Sequence, residues 1–239
     1  GEIVKKNGQL TGVLIDAPMK LVTKILPQPT TEEKIKALQD AEQIGFANGL
    51  TTVSVAGVIK EDIFLIDSLQ KKGLLSMRVY AMIANSVEDM DYFLKNGPYK
   101  TDKLNVRSFK IYADGALGSR GAALKESYSD LDNHVGAFIT SKDSLENLAY
   151  KLAASPFQMN THAIGDAANK VVLEAYQKAL VFSEDPRWRV EHAQIIDTAD
   201  LKLFNRKIIP SVQPTHATSD MYWAEDRLGE DRLLGAYAN

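Results

Sequence analysis

The sequence contains four histidines and no cysteine, which narrows the chemistry open to it. Without thiols there is no disulfide framework and no thiolate metal site, so a metal would be held by His, Asp, Glu or a modified Lys. Two of the histidines share one placement. In Met159-Asn160-Thr161-His162-Ala163-Ile164-Gly165-Asp166 the histidine closes a strand-type run, and Gly-Asp opens the turn into a helical pattern. Arg189-Val190-Glu191-His192-Ala193-Gln194 repeats that placement one ~30-residue unit later, the spacing of one βα unit in an eightfold barrel. Adjacent parallel strands would bring both imidazoles to the carboxyl-end rim, where barrel enzymes build their sites.

Upstream, Ser108-Phe109-Lys110-Ile111-Tyr112 places a lysine inside an apolar strand, which is costly unless its charge is used or removed. Each residue alone also has a plainer reading. A strand-end histidine can be a hydrogen-bonded structural residue, and Lys110 can run outward beneath a helix with its ammonium in water. Asp114-Gly115 can be an ordinary turn, His216 in Gln213-Pro214-Thr215-His216 a solvated loop residue, and His134, beside the polar stretch Asp130 to Asn133, an exposed one. Three inward polar groups on three successive strands would instead form a cluster.

The elements that must position these residues alternate along the chain. Thr30-Thr31-Glu32-Glu33 is a capping-box start for a helix that ends near Asn48-Gly49. Strand-type runs lie at 51–55, 77–83, 106–113, 158–163, 188–194 and 208–213. Helical patterns lie at 61–72, after Ser86, after Ser141, at 167–182 and, briefly, after Asp197. From Asp114 to Thr140 no period holds, and a connection that long inside a compact domain is usually a functional loop. Strands alternating with helices imply a parallel sheet, either an open doubly wound one or a closed (β/α)8 barrel. Ser54-Val55-Ala56-Gly57 lacks the glycine-rich turn of a dinucleotide site, which favours the barrel.

Composition excludes several classes. The 239 residues are 45% apolar and 25% charged, close to the globular average. The 28 Lys and Arg against 31 Asp and Glu give a net charge of −3 without long runs of one sign, so neither a nucleic-acid surface nor a polybasic membrane anchor is expected. No apolar stretch reaches a bilayer-spanning length and no signal peptide opens the chain, so a soluble chain is expected, its compartment left open with the cytoplasm slightly favoured.

Taken in order, Phe109-Lys110 with Asp114-Gly115-Ala116-Leu117-Gly118-Ser119-Arg120, His162-Ala163-Ile164-Gly165-Asp166, Arg189-Val190-Glu191-His192-Ala193-Gln194 and Ser211-Val212-Gln213-Pro214 with His216 resemble the amidohydrolase superfamily, in its amidohydrolase-3 branch. The resemblance implies a TIM-like (β/α)8 barrel, α/β in class, with one or two divalent metals, usually zinc, at its rim. By the same resemblance His162, His192 and Lys110 are the metal ligands, the lysine carboxylated in some members. Asp166 and Glu191 would orient the imidazoles, while Asp114, Arg120 and His216 would meet a small amide-type substrate cleaved by metal-activated water. The family's His-x-His pair of strand one and acidic residue of strand eight have no counterpart here. The resemblance therefore implies strands two to seven of a barrel over residues 1–239, without the family's β-sandwich, and an inactive fragment of a hydrolase. Two open sheet edges would be covered by terminal segments or paired in a homo-oligomer. Two other readings are a Schiff-base lyase using Lys110 and a non-catalytic binding module.

Overall fold

The structure, a computed structural model, describes residues 2–15 and 17–237. The chain divides into two compact units, one of Gly1–Leu26, Tyr112–Ala153 and Thr161–Asn239, the other of Pro27–Ile111 and Ala154–Asn160. The first unit opens with an antiparallel hairpin, β1 (Glu2–Lys6) and β2 (Gln9–Ile15), followed by a short helix α1 (Lys20–Thr23).

The second unit begins at α2 (Thr31–Ala47), whose start is the capping box read from sequence: Thr30 Oγ1 accepts from the Glu33 N–H at 3.2 Å and Glu33 accepts from the Thr30 N–H at 2.7 Å. β3 (Thr52–Val58), α3 (Lys60–Lys71), β4 (Arg78–Ala84), α4 (Val87–Asn96), β5 (Tyr99–Lys100) and β6 (Leu104–Tyr112) follow. β3, β4 and β6 are parallel neighbours in that order, and the two-residue β5 pairs antiparallel with β6. The alternating strands and helices bury Ile63, Ile66, Leu69, Ala81, Ile83, Phe93, Val106 and Phe109, and Phe109 packs on Phe157 at 5.0 Å between ring centroids. Burying such side chains contributes roughly 1.5–3 kcal/mol each, which is what makes this layer cohere.

The remaining elements belong to the first unit, apart from the start of β7: α5 (Lys142–Ala153), β7 (Gln158–Ala163), α6 (Asp166–Ala179), β8 (Trp188–His192), β9 (Ile208–Ser211), α7 (His216–Ser219), α8 (Ala224–Leu228) and α9 (Glu230–Tyr237). β8 and β9 are parallel, and Asp197 caps a 3-10 helix at Thr198–Leu203. The α/β class and the strand-helix alternation expected from the sequence are present, and all six expected strands are found. β8 stops two residues earlier than its apolar pattern because His192 and Ala193 adopt positive φ values of 75° and 43°, outside the β region. The hairpin, β5 and the C-terminal helices were not anticipated. No described helix is long and apolar enough to cross a membrane.

Candidate metal centre

The loop that leaves β6 carries no helix or strand from Ala113 to Ser141, yet it is packed rather than loose. Leu117, Ala122, Leu124 and Tyr128 from the loop form one buried cluster with Ile164, Ile195 and Leu228. Burial pushes the Tyr128 hydroxyl well above its ordinary range, and that hydroxyl donates to the Ala122 carbonyl at 2.9 Å. The loop's first residue, Asp114, is fully buried. Its carboxylate accepts the N–H groups of Ala123 at 2.9 Å, Ile164 at 3.0 Å and Gly165 at 2.8 Å. Those bonds tie the loop to the turn that follows His162.

Against this frame stand three imidazoles. His162 and His192, at the ends of β7 and β8, meet edge to face with ring centroids 4.6 Å apart, and His216 lies 6.4 Å beyond His192. Two acceptors face His162 Nε2, the Gly115 carbonyl at 3.3 Å and Asp114 Oδ1 at 3.3 Å. They favour a proton on that nitrogen and leave the lone pair on Nδ1. His192 is set the other way round, with Nδ1 hydrogen-bonded to Gln213 Oε1. The same Gln213 oxygen lies 3.0 Å from His216 Nε2, and His216 Nδ1 lies 3.1 Å from Asp220 Oδ2. Asp220, itself buried, also accepts from Gln194 at 2.8 Å. A cavity of about 510 Å³ opens beside this row, lined by His192, Gln194, Phe204, Val212, Gln213 and His216 among others.

The remaining expected site residues have other partners. Asp166 does not touch an imidazole: as the first residue of α6 it accepts the Lys125 N–H at 2.9 Å, and burial raises its carboxyl above the ordinary value. Glu191 is paired with Arg189 at 2.6 Å, because neighbours on a strand point to opposite faces and Glu191 therefore points away from His192. Arg120 forms a two-pronged pair with Asp130 at 3.0 and 2.7 Å, which raises the guanidinium and lowers the carboxyl. Arg227 also bonds that carboxylate, so Arg120 fastens the loop. His134, expected to be exposed, is half-buried with Nε2 2.9 Å from the Arg120 carbonyl. Lys110 belongs to the second unit and is buried, its ammonium donating to the Ile111 carbonyl at 3.3 Å. Sequence reasoning passed over Gln213, although it follows β9 as His162 and His192 end their strands; Asp220 and Gln194 carried no such signal.

Among the described residues, no group of three or more His, Asp or Glu is arranged to hold a metal ion. The donor chemistry of the row nevertheless suits one: His162 and His192 each have one ring nitrogen hydrogen-bonded, the usual arrangement of zinc-binding imidazoles, and they supply two of the three protein ligands of a catalytic site.

Strand-helix alternation around parallel strands defines the chain as an α/β protein, with histidines at two successive strand ends. It belongs to the amidohydrolase family, whose model matches residues 2–238. It is 30% identical over 243 residues to Protein LONG AFTER FAR-RED 3 of Arabidopsis thaliana, covering 95% of this chain and 42% of that one. It is 31% identical over 247 residues to YtcJ of Bacillus subtilis (strain 168), covering 100% of this chain and 46% of the relative. A metal-dependent hydrolase of Pyrococcus furiosus, itself uncharacterized, superposes with a TM-score of 0.79 at 28% identity, over 92% of this chain and 45% of that one. The chain thus spans less than half the length of these relatives.

Proposed function

We propose that this protein acts as a metal-dependent amidohydrolase, cleaving an amide-type C–N bond of a small molecule, with His162 and His192 as ligands of a divalent metal, zinc by donor preference. The observation that carries the reading is the imidazole pair at 4.6 Å, each ring held by an acceptor on one nitrogen. Bound there, zinc would supply Lewis-acid polarisation of a carbonyl and a water of pKa ~7. The chain's own residues do the rest. His162 offers Nδ1 and His192 offers Nε2, while Asp114 holds the turn that carries His162. His216 lies at the cavity edge with both ring nitrogens engaged, Nε2 by Gln213 and Nδ1 by Asp220, and Phe204 and Val212 give the cavity apolar lining. Lys110 as a further ligand rests on the family pattern alone.

Equilibrium dialysis against zinc, read by elemental mass spectrometry, tests the proposal with the parent chain, His162→Ala and His192→Ala, each checked for folding by circular dichroism. Saturable uptake that is lost in both variants is expected. Uptake equal in all three, or none in the folded parent, would overturn it.

A further inference from the structure

Gln213 stands outside every strand and helix, in the segment between β9 and α7, yet its side-chain oxygen is shared by two imidazoles from different elements. An exposed glutamine has many rotamers, and holding one of them costs side-chain entropy that specific contacts must offset. Here the oxygen meets His192 Nδ1 and His216 Nε2 together, and a carbonyl-type oxygen accepts only where a nitrogen presents a proton. His216 is then met by an oxygen on both ring nitrogens, Gln213 at Nε2 and Asp220 at Nδ1, and His192, with the amide oxygen turned toward it, carries its proton on Nδ1. Its Nε2 becomes the nitrogen with the lone pair, the opposite of His162. On the far side of His216, Asp220 is fixed by Gln194 at 2.8 Å and by the Ser219 hydroxyl at 2.8 Å. The row Asp220, His216, Gln213 therefore runs from a buried anchor outward to His192.

We infer that Gln213 is a positioning residue that sets the tautomer and ring orientation of His192, with His216 and Asp220 bracing the glutamine. The inference rests on His192 being a metal ligand for its functional meaning, but its first test does not. Ring-nitrogen correlation spectra of the 15N-histidine-labelled chain, recorded without metal and with His192 assigned by its loss in His192→Ala, report which nitrogen carries the proton. The expected result is Nδ1–H in the parent, a shift toward Nε2–H in Gln213→Leu, and retention of Nδ1–H in Gln213→Glu, which keeps the acceptor. An Nε2–H tautomer in the parent, or a parent-like spectrum in Gln213→Leu, would overturn it.

Zinc titration of the same chains adds a second readout. Gln213→Leu is expected to weaken zinc uptake 10- to 100-fold, the usual effect of removing a ligand's outer partner, and Gln213→Glu to restore most of it. Equal affinity in Gln213→Leu and parent would overturn the positioning role. A tautomer shift without zinc uptake by any chain would uphold that role while refuting the metal-centre reading.

Discussion

The Asp114 carboxylate accepts the Gly165 N–H at 2.8 Å, joining residues 51 positions apart in the sequence. Gly165 also lets the loop backbone pass close by, since a Cβ there would stand 2.0 Å from the Ala123 carbonyl oxygen. Together the two residues seat the loop against the turn that follows His162, so the histidine's surroundings depend on backbone fit as much as on ligand chemistry.

Asp114→Ala should destabilise the chain by about 3 kcal/mol or more, because three buried N–H groups lose their acceptor at once. Asp114→Asn should lose less, since one oxygen remains to accept. Urea unfolding followed by circular dichroism gives the two midpoints, and an unchanged slope would confine the effect to stability.

Gly165→Ala should cost about 3 kcal/mol or more, at the upper end of overpacking, because the opposing atom is backbone and cannot rotate away. Gly45→Ala is the control. Its added Cβ would meet only the end of the Met77 side chain, at 2.7 Å, which can turn aside, so its melting temperature should fall much less.

Asp130 and Asp166 should give pH dependences of opposite sign. The Asp130 carboxyl is held below its ordinary value of 3.8 by Arg120 and Arg227. Its folded state therefore binds the proton more weakly than the unfolded chain, and its contribution is present above that value and lost as pH falls through the lowered one. In Asp130→Asn the drop in stability toward acid should be shallower, and the loss at neutral pH should stay within the ~1 kcal/mol of a partly exposed ion pair.

Asp166 is pushed upward by burial, against the pull of two backbone N–H bonds. Its folded state binds the proton more tightly, so ionisation costs stability above the raised value and the cost disappears below 3.8. Asp166→Asn, which keeps an oxygen for the Lys125 N–H, should equal or exceed the parent's stability at pH 7, with the difference closing toward acid. Thermal melts across pH 3–8 would show it, and a variant less stable at pH 7 than at pH 4 relative to the parent would contradict the assignment.

Much of the fold was legible because its signals are local. Thr30 with Glu33, Ser86 with Asp89 and Asp197 before its 3-10 helix are capping patterns within a few residues, and each cap is present. The apolar runs around Val79, Val106 and Val190 sit where strands form, since a strand buried on both faces reads as a continuous apolar stretch. The strand ends bearing His162 and His192 were legible for the same reason, and the two rings do meet. The partners of the acidic residues were not. Whether Asp166 faces Lys125 or an imidazole, and whether Arg120 faces Asp130 or open space, depends on how the aperiodic loop closes, and a loop without periodicity leaves no pattern to extrapolate. Gln213 was missed because its role depends on reaching across 21 positions to His192. The hairpin β1–β2 is largely exposed, so its alternation lacked the apolar face that marks a strand in sequence.

The left-handed backbone at His192 and Ala193 has a consequence for evolution and engineering. Two successive side-chain-bearing residues in that conformation each cost on the order of 1–2 kcal/mol, and glycine would remove most of it. Selection for thermal tolerance alone would therefore drift toward glycine at Ala193, trading a stiff mounting for a slack one beneath the adjacent imidazole. A stabilised lineage of this chain is expected to become hardier while its histidine rim loses definition, and a library sorted first by heat and then by zinc uptake would expose that conflict at this one peptide unit.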